Sequence, residues 1–265
     1  MFSKKVRRGI LFTLFVEMLV ICSCEDTQSP KVIEQPIEGN VFFGFAESSN
    51  DTSSPPKIFL YMRTEKLYPV SGYEIIADYG EGNNNIQVLL YGVRFVAGGW
   101  LGSSPAYWSE EVRTGIGSHW LDFDNQMRQI IFRIQITDTS ILIQDTSTNF
   151  MVPDYLTYWR YPVNSFVYHF SSADSINNWL YNVFLDTLLS HVNLQEFQFL
   201  DFGMNPFPKM YINAGTLAPS KFFKYQTDMD FYKCREVIRN FRENVLVQYP
   251  GVIIEFYDWK GRLYF

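Results

Sequence analysis

The side chains able to do chemistry are few, and carboxylates lead them. Asp122 and Asp124 stand two residues apart on a strand-like segment, so both point to one face. Glu110 and Glu111 follow an aromatic stretch. A glycosidase needs two carboxylates about 5–10 Å apart across a sugar cleft, which makes these four the candidate acids and bases. Solvated surface acids account for them more simply in a chain with 28 Asp and Glu. Asp122, Asp124 and Asn125 also suit calcium, but the full oxygen set of an EF-hand loop is missing. The only histidines are His119, His169 and His191, with no His-x-x-x-His pair and no Cys-x-x-Cys, so no metal site is expected. Cys234 falls on the apolar face of a predicted helix, where a thiol serves more often as a small hydrophobe than as a nucleophile. Gly80-Glu81-Gly82 lacks the third glycine and the following helix of a dinucleotide site, and there is no Gly-x-Ser-x-Gly elbow. No cofactor is expected, and the balance is against an enzyme.

Aromatic residues make the stronger case. They are 18 % of the chain, and most must be core, because such rings dominate burial energetics. Between Val96 and Trp120, however, the runs Gly98-Gly99-Trp100-Leu101-Gly102 and Pro105-Ala106-Tyr107-Trp108 read as a long connection with rings beside glycines. A flat ring on a loop can stack on a sugar face or anchor a protein partner. Trp100, Tyr107, Trp108 and Trp120 are the first binding candidates. Tyr158 and Trp159 are the second, in a cluster with Tyr155 and Tyr161 near Pro153 and Pro162. The competing reading has these rings capping the open ends of the β structure.

The elements that must position these residues change character along the chain. Residues 41–170 read as a β-rich domain. Lys57 to Thr64, Tyr73 to Tyr79, Ile86 to Phe95 and Gln129 to Thr137 have strand character, and the glycines and asparagines of 80–85 mark a turn. Short strands with turn chemistry between them predict an antiparallel β-sandwich or a partly open barrel. Residues 171–265 form an α+β part, ordered α-β-β-α-β-β and able to share one core with the first. Its first helix carries Ile176, Trp179, Leu180, Val183, Phe184, Leu188 and His191 on one face, with Ser171 and Asp174 as a capping box. Strands are expected at Phe197 to Phe202 and Lys209 to Ala214. A second helix starts at the box Thr227/Asp230, and a hairpin turns at Trp259-Lys260-Gly261.

The N-terminus sets a location. Lys4, Lys5, Arg7 and Arg8 precede an apolar run from Gly9 to Ile21, broken only by Thr13 and Glu17 and too short to cross a bilayer, and the run ends in Ile21-Cys22-Ser23-Cys24. This ending resembles a bacterial lipobox. The resemblance implies a signal peptide over residues 1–23 and an acylated Cys24, palmitate being one such chain. Glu25 and Asp26 resemble the acidic export signal of surface-exposed lipoproteins in Bacteroidota. Residues 24–40 would then tether the body to the cell envelope, at the outer membrane and on the cell surface. Losing residues 1–23 takes the formal charge from −6 to −9, and no Lys/Arg-rich run follows residue 8, which argues against nucleic acid as a partner. The expected function is a membrane-anchored, non-enzymatic module that binds a glycan or an envelope protein. The alternatives are a glycan-active hydrolase using the paired carboxylates, and a structural subunit of an extracellular assembly docking by strand addition at the C-terminal hairpin.

Overall fold

A computed structural model describes residues 35–48, 55–96, 100–144, 149–200, 202–210 and 216–264. The expected signal peptide, Cys24, most of the expected tether, Gly98 and Gly99 lie outside these. The molecule is α+β and mainly β. Ten strands make the first sheet: β1 (Val41–Ser48), β2 (Lys57–Val70), β3 (Tyr73–Glu81), β4 (Asn85–Phe95), β5 (Leu101–Val112), β6 (Gly117–Asp124), β7 (Gln129–Ile136), β8 (Ser140–Ile143), β9 (Met151–Pro153) and β10 (Thr157–Trp159). Their spatial order is β10-β8-β7-β6-β4-β3-β5-β2-β1-β9.

Alternation explains most of it. In β7, Ile130, Phe132, Ile134 and Ile136 are buried while Ile131 and Arg133 are exposed. Phe43 of β1 meets Phe123 of β6 and Phe132 of β7 at ring distances of 4.8 and 4.9 Å, so distant strands share one core. The sheet is curled. Its end strands β9 and β10 come from one segment, in which Asp154 N–H and Tyr158 Oη donate to Phe43 O at 2.8 and 3.3 Å. Gly44 lies where a Cβ would collide with the hydroxyls of Tyr61 and Tyr158.

The antiparallel expectation needs correction. β1–β9, β3–β5 and β4–β6 pair in parallel, so the sheet is mixed. The expected aromatic connection also differs, because most of it is strand β5. Its partner β2 shifts register between Arg63 and Leu67, where Pro105 stands opposite Leu67. Proline, serines and paired glutamates hide the alternation of Ala106, Trp108 and Val112 in the sequence.

The second sheet comprises β11 (Ser165–Ser172), β12 (Gln195–Phe197), β13 (Thr216–Leu217), β14 (Lys221–Lys224), β15 (Val252–Asp258) and β16 (Leu263–Tyr264). The order is β12-β14-β11-β15-β16, and β13 also pairs with β11. Helices α1 (Trp179–His191) and α2 (Asp228–Asn244) pack through Leu180, Phe184, Leu188, Cys234, Ile238 and Phe241 on Phe166, Phe170, Ile254 and Phe256. Thr227 and Asp230 form the expected capping box. Ser171 does not cap the first helix. It is buried in β11, and Asp174 caps a 3₁₀ turn before α1 by accepting from Ile176 N–H. Ile176 is exposed, whereas Leu185 is buried. The strand expected to start at Phe197 lies earlier, as β12. Of the strand expected at 209–214, Lys209 and Met210 are not strand and residues 211–214 lie outside the described ones; β14 pairs with β12. Between the sheets, the covered side chain of Glu47 holds the linker: it accepts from Arg160 Nε at 2.6 Å and Tyr161 N–H at 2.7 Å. No helix among the described residues is long and apolar enough to cross a membrane.

Candidate functional site

β5 does not lie beside β4. It inserts between β2 and β3, and the connection after it crosses the tip of the β3–β4 hairpin to lay β6 on β4. Glu81 at that tip fastens the crossing. Its carboxylate accepts from Arg113 N–H at 2.8 Å, from Thr114 Oγ1 at 2.9 Å and from Tyr79 Oη. Trp120 N–H donates to Asn84 O at 2.9 Å on the other side.

β3 and β5 share one parallel rung, Glu74 opposite Tyr107. The β3–β4 ladder shifts register between Ile76 and Ala77, and beyond that point β3 and β5 part. Such an irregularity re-aims a strand. The gap is an open cleft of about 510 Å³ lined by Ala77, Asp78, Tyr79, Gly80, Glu81, Trp108, Glu110 and Arg113. Two-residue spacing puts Tyr79 with Glu81 and Trp108 with Glu110. Tyr79 and Trp108 pack against the core cluster with ring centroids 5.9 Å apart, so they form the floor.

Burial by itself raises the Glu81 carboxyl. The hydrogen bonds from Tyr79, Arg113 N–H and Thr114 outweigh it and hold the group below the usual carboxylate range. Burial and the Glu81 carboxylate push the Tyr79 phenol the other way, well above its ordinary value. At neutral pH the cleft therefore presents two neutral rings, an ionised Glu81, the carboxyl group of Glu110 and one guanidinium, while the Asp78 carboxylate turns to the other face of β3 and accepts from Tyr91 Oη at 2.5 Å.

The cleft gathers only some of the expected residues. Trp108 and Glu110 line it. Tyr107, next in sequence, points to the outer face and is 52 % exposed. Trp120 is equally exposed at 52 % but lies opposite Asn85, whereas Tyr107 lies at the rung of Glu74 and Arg94. Nine residues along β4 separate those levels, roughly 30 Å. Trp100 is 84 % exposed just before β5. Tyr158 is 2 % exposed, edge-on to Phe45, and its burial makes it a structural ring. Trp159 is half-buried between Phe199 and Phe202 and donates its Nε1–H to Phe202 O at 3.0 Å.

The remaining carboxylates are occupied locally. Buried Asp122 accepts twice from Gln129 Nε2, at 3.0 and 2.8 Å. Asp124 accepts from Gln126 N–H at 2.7 Å in the turn to β7. Glu111, facing out, pairs with Lys57 at 2.7 Å. Cys234 is fully buried, and burial with nearby Asp230 pushes its thiol up to about 12. No group of three His, Cys, Asp or Glu among the described residues is arranged to hold a metal ion.

Asp78, Tyr79, Glu81 and Arg113 went unrecognised in the sequence. The turn at 80–85 was legible, but the splitting of β3 from β5 depends on an insertion that no local pattern encodes. Comparison with known proteins adds no relative: no protein-family model, curated protein or solved structure matches the chain.

Proposed function

We propose that this protein is a glycan-binding module, lipid-anchored at the cell surface through Cys24, and that the cleft between β3 and β5 is its binding site. In this reading the curled sheet is a partly open barrel and the cleft is its mouth. One observation carries the reading: Trp108 and Tyr79 form an aromatic floor rimmed by Glu81, Glu110 and Arg113. Rings take the apolar face of a sugar, while carboxylates and a guanidinium take its hydroxyls in pairs. Two carboxylates, Glu81 and Glu110, against one cation favour a neutral glycan over an acidic one.

The hydrolase reading draws less support. A glycosidase acid must hold its proton near neutral pH, and Glu81 is shifted the opposite way. Titration of the protein with neutral oligosaccharides, followed by tryptophan fluorescence, tests the binding reading. Saturable quenching that disappears in Trp108→Ala but persists in Trp100→Ala is expected. Equal quenching in both variants would place binding elsewhere.

A further inference from the structure

β11 is buried at every position, so a polar side chain on it can find partners only inside the protein, and the Tyr168 hydroxyl finds none. His169 has two. Its Nε2 lies 2.9 Å from Pro208 O, and its Nδ1 lies 2.8 Å from Ser220 Oγ. A carbonyl can only accept, so Nε2 carries the ring proton and Nδ1 offers its lone pair to the Ser220 hydroxyl. Ser220 Oγ–H therefore donates to the imidazole, the contact a nucleophile makes with its base.

The two residues leading into the serine are both held. Ala218 N–H donates to Phe170 O at 3.2 Å, and Tyr181 Oη donates to Pro219 O at 2.9 Å. Ser220 lines a surface pocket of about 310 Å³ with Trp159, Phe199, Phe222, Gln198 and Asn205. His169 is buried beneath it. Asn205 Oδ1 accepts from Phe207 N–H at 2.9 Å, which fixes that amide in place.

We infer that Ser220 and His169 form a nucleophile–base pair that hydrolyses carboxylic esters with a small, uncharged acyl group, at a site separate from the β3–β5 cleft. Ser220 Oγ attacks the ester carbonyl carbon, and its proton passes to His169 Nδ1. The tetrahedral adduct breaks the bond to the alcohol, which leaves with that proton. Water then attacks acyl-Ser220, again losing a proton to His169, and the carboxylic acid departs as serine regains its hydrogen. The rings of Trp159, Phe199 and Phe222 suit an uncharged acyl group, and the side-chain amides of Gln198 and Asn205 are the pocket's donors for the oxyanion. Burial disfavours the imidazolium and keeps the free His169 neutral, as a base must be.

The test treats the folded full chain with a fluorophosphonate and with p-nitrophenyl butyrate. A single label mapping to Ser220 in the wild-type protein is expected, together with ester turnover that falls roughly 100-fold in Ser220→Ala. His169→Gln should slow labelling at least about tenfold, the lower part of what a general base supplies. An unlabelled wild-type protein, or a label on any other residue, overturns the assignment whether or not the variants fold. Turnover that survives Ser220→Ala overturns it as well.

Discussion

β7 and β11 are both eight residues long, yet they are buried in opposite ways. In β7 burial alternates, because one face meets the core and the other meets solvent. In β11 every position is buried, because the helices cover one face and the segment carrying Phe199 and Phe207 packs over the other. An alternating strand can display side chains outward, as Tyr107 of β5 and Trp120 of β6 are displayed in the same sheet. A doubly buried strand can satisfy its polar groups only internally: His169 does so with Ser220 and Pro208, whereas the buried Tyr168 hydroxyl beside it has no hydrogen-bond partner. The first sheet therefore offers surfaces, whereas the second builds paired polar groups under a pocket.

Truncation along each strand is the sharpest way to break this contrast. Phe166 touches Phe223, Phe231 and Phe256 at 5.5, 5.8 and 4.8 Å between centroids, and Phe166→Ala should cost about 3–5 kcal/mol. Its neighbour Val167 faces the other way and is also fully buried, so Val167→Ala should cost about 2 kcal/mol. In β7, Phe132→Ala should match Phe166→Ala, while Ile131→Ala, at a partly exposed position, should cost less than about 1 kcal/mol. Denaturant melts that find Val167 as tolerant as Ile131 would remove the distinction.

The contact between the two regions comes next. Glu47 is almost wholly buried and accepts from both Arg160 and Tyr161 N–H. Glu47→Ala strands a partly buried guanidinium and should cost about 3 kcal/mol, the lower end for a broken buried pair because Arg160 keeps some solvent. If this contact couples the regions, the variant should melt in two steps where the wild-type protein melts in one. A single unchanged transition would show that the linker carries no coupling.

Much of this architecture was legible, and the reason differs by element. Strands at 57–64, 73–79, 86–95 and 129–137 showed themselves because strand geometry writes a period of two or a bounded apolar run into the residues, with the asparagine turn between two of them. The helix at 228–244 showed itself through its capping box and its apolar face. β5 was hidden because Pro105 and its serines resemble a loop. β11 looked like one more strand of the first region, since nothing in Phe166 to Phe170 says which sheet it will join. The cleft was half legible: Trp108 and Glu110 stood out by type. Glu81 and Arg113 reach them only through the insertion of β5, a pairing between residues far apart in sequence.

A smaller effect probes the buried histidine. Burial lowers the His169 pKa in the fold, while the unfolded chain keeps about 6.5. The unfolded state then binds the extra proton first. The stability this group contributes is full above about pH 6.5 and is lost as pH falls through that value toward the lowered folded one. Unfolding free energies measured from pH 7.5 to 5 should decline for the wild-type protein and decline less steeply for His169→Gln. Parallel curves would mean the imidazole is no more buried in the fold than in the denatured chain.

The smallest expected effect separates two tryptophans eight residues apart. Trp108 floors the cleft and packs partly on the core, so Trp108→Ala should cost up to about 2 kcal/mol of stability, well under the value for a fully buried ring. Its larger consequence should be the loss of glycan affinity, by about 1–3 kcal/mol. Trp100 is 84 % exposed and is held by its backbone alone: its N–H donates to Ser71 Oγ at 2.7 Å, and its carbonyl accepts from Ser71 N–H at 3.0 Å. Trp100→Ala leaves those bonds intact, so its melting curve should stay within about 0.5 kcal/mol of wild type. A ring that exposed, on a backbone that fixed, is an anchor only if something outside the chain covers it. Should Trp100→Ala weaken glycan binding as much as Trp108→Ala while leaving stability untouched, the binding surface extends out of the cleft and around the edge of β5. Should it change neither, the site ends at Trp108.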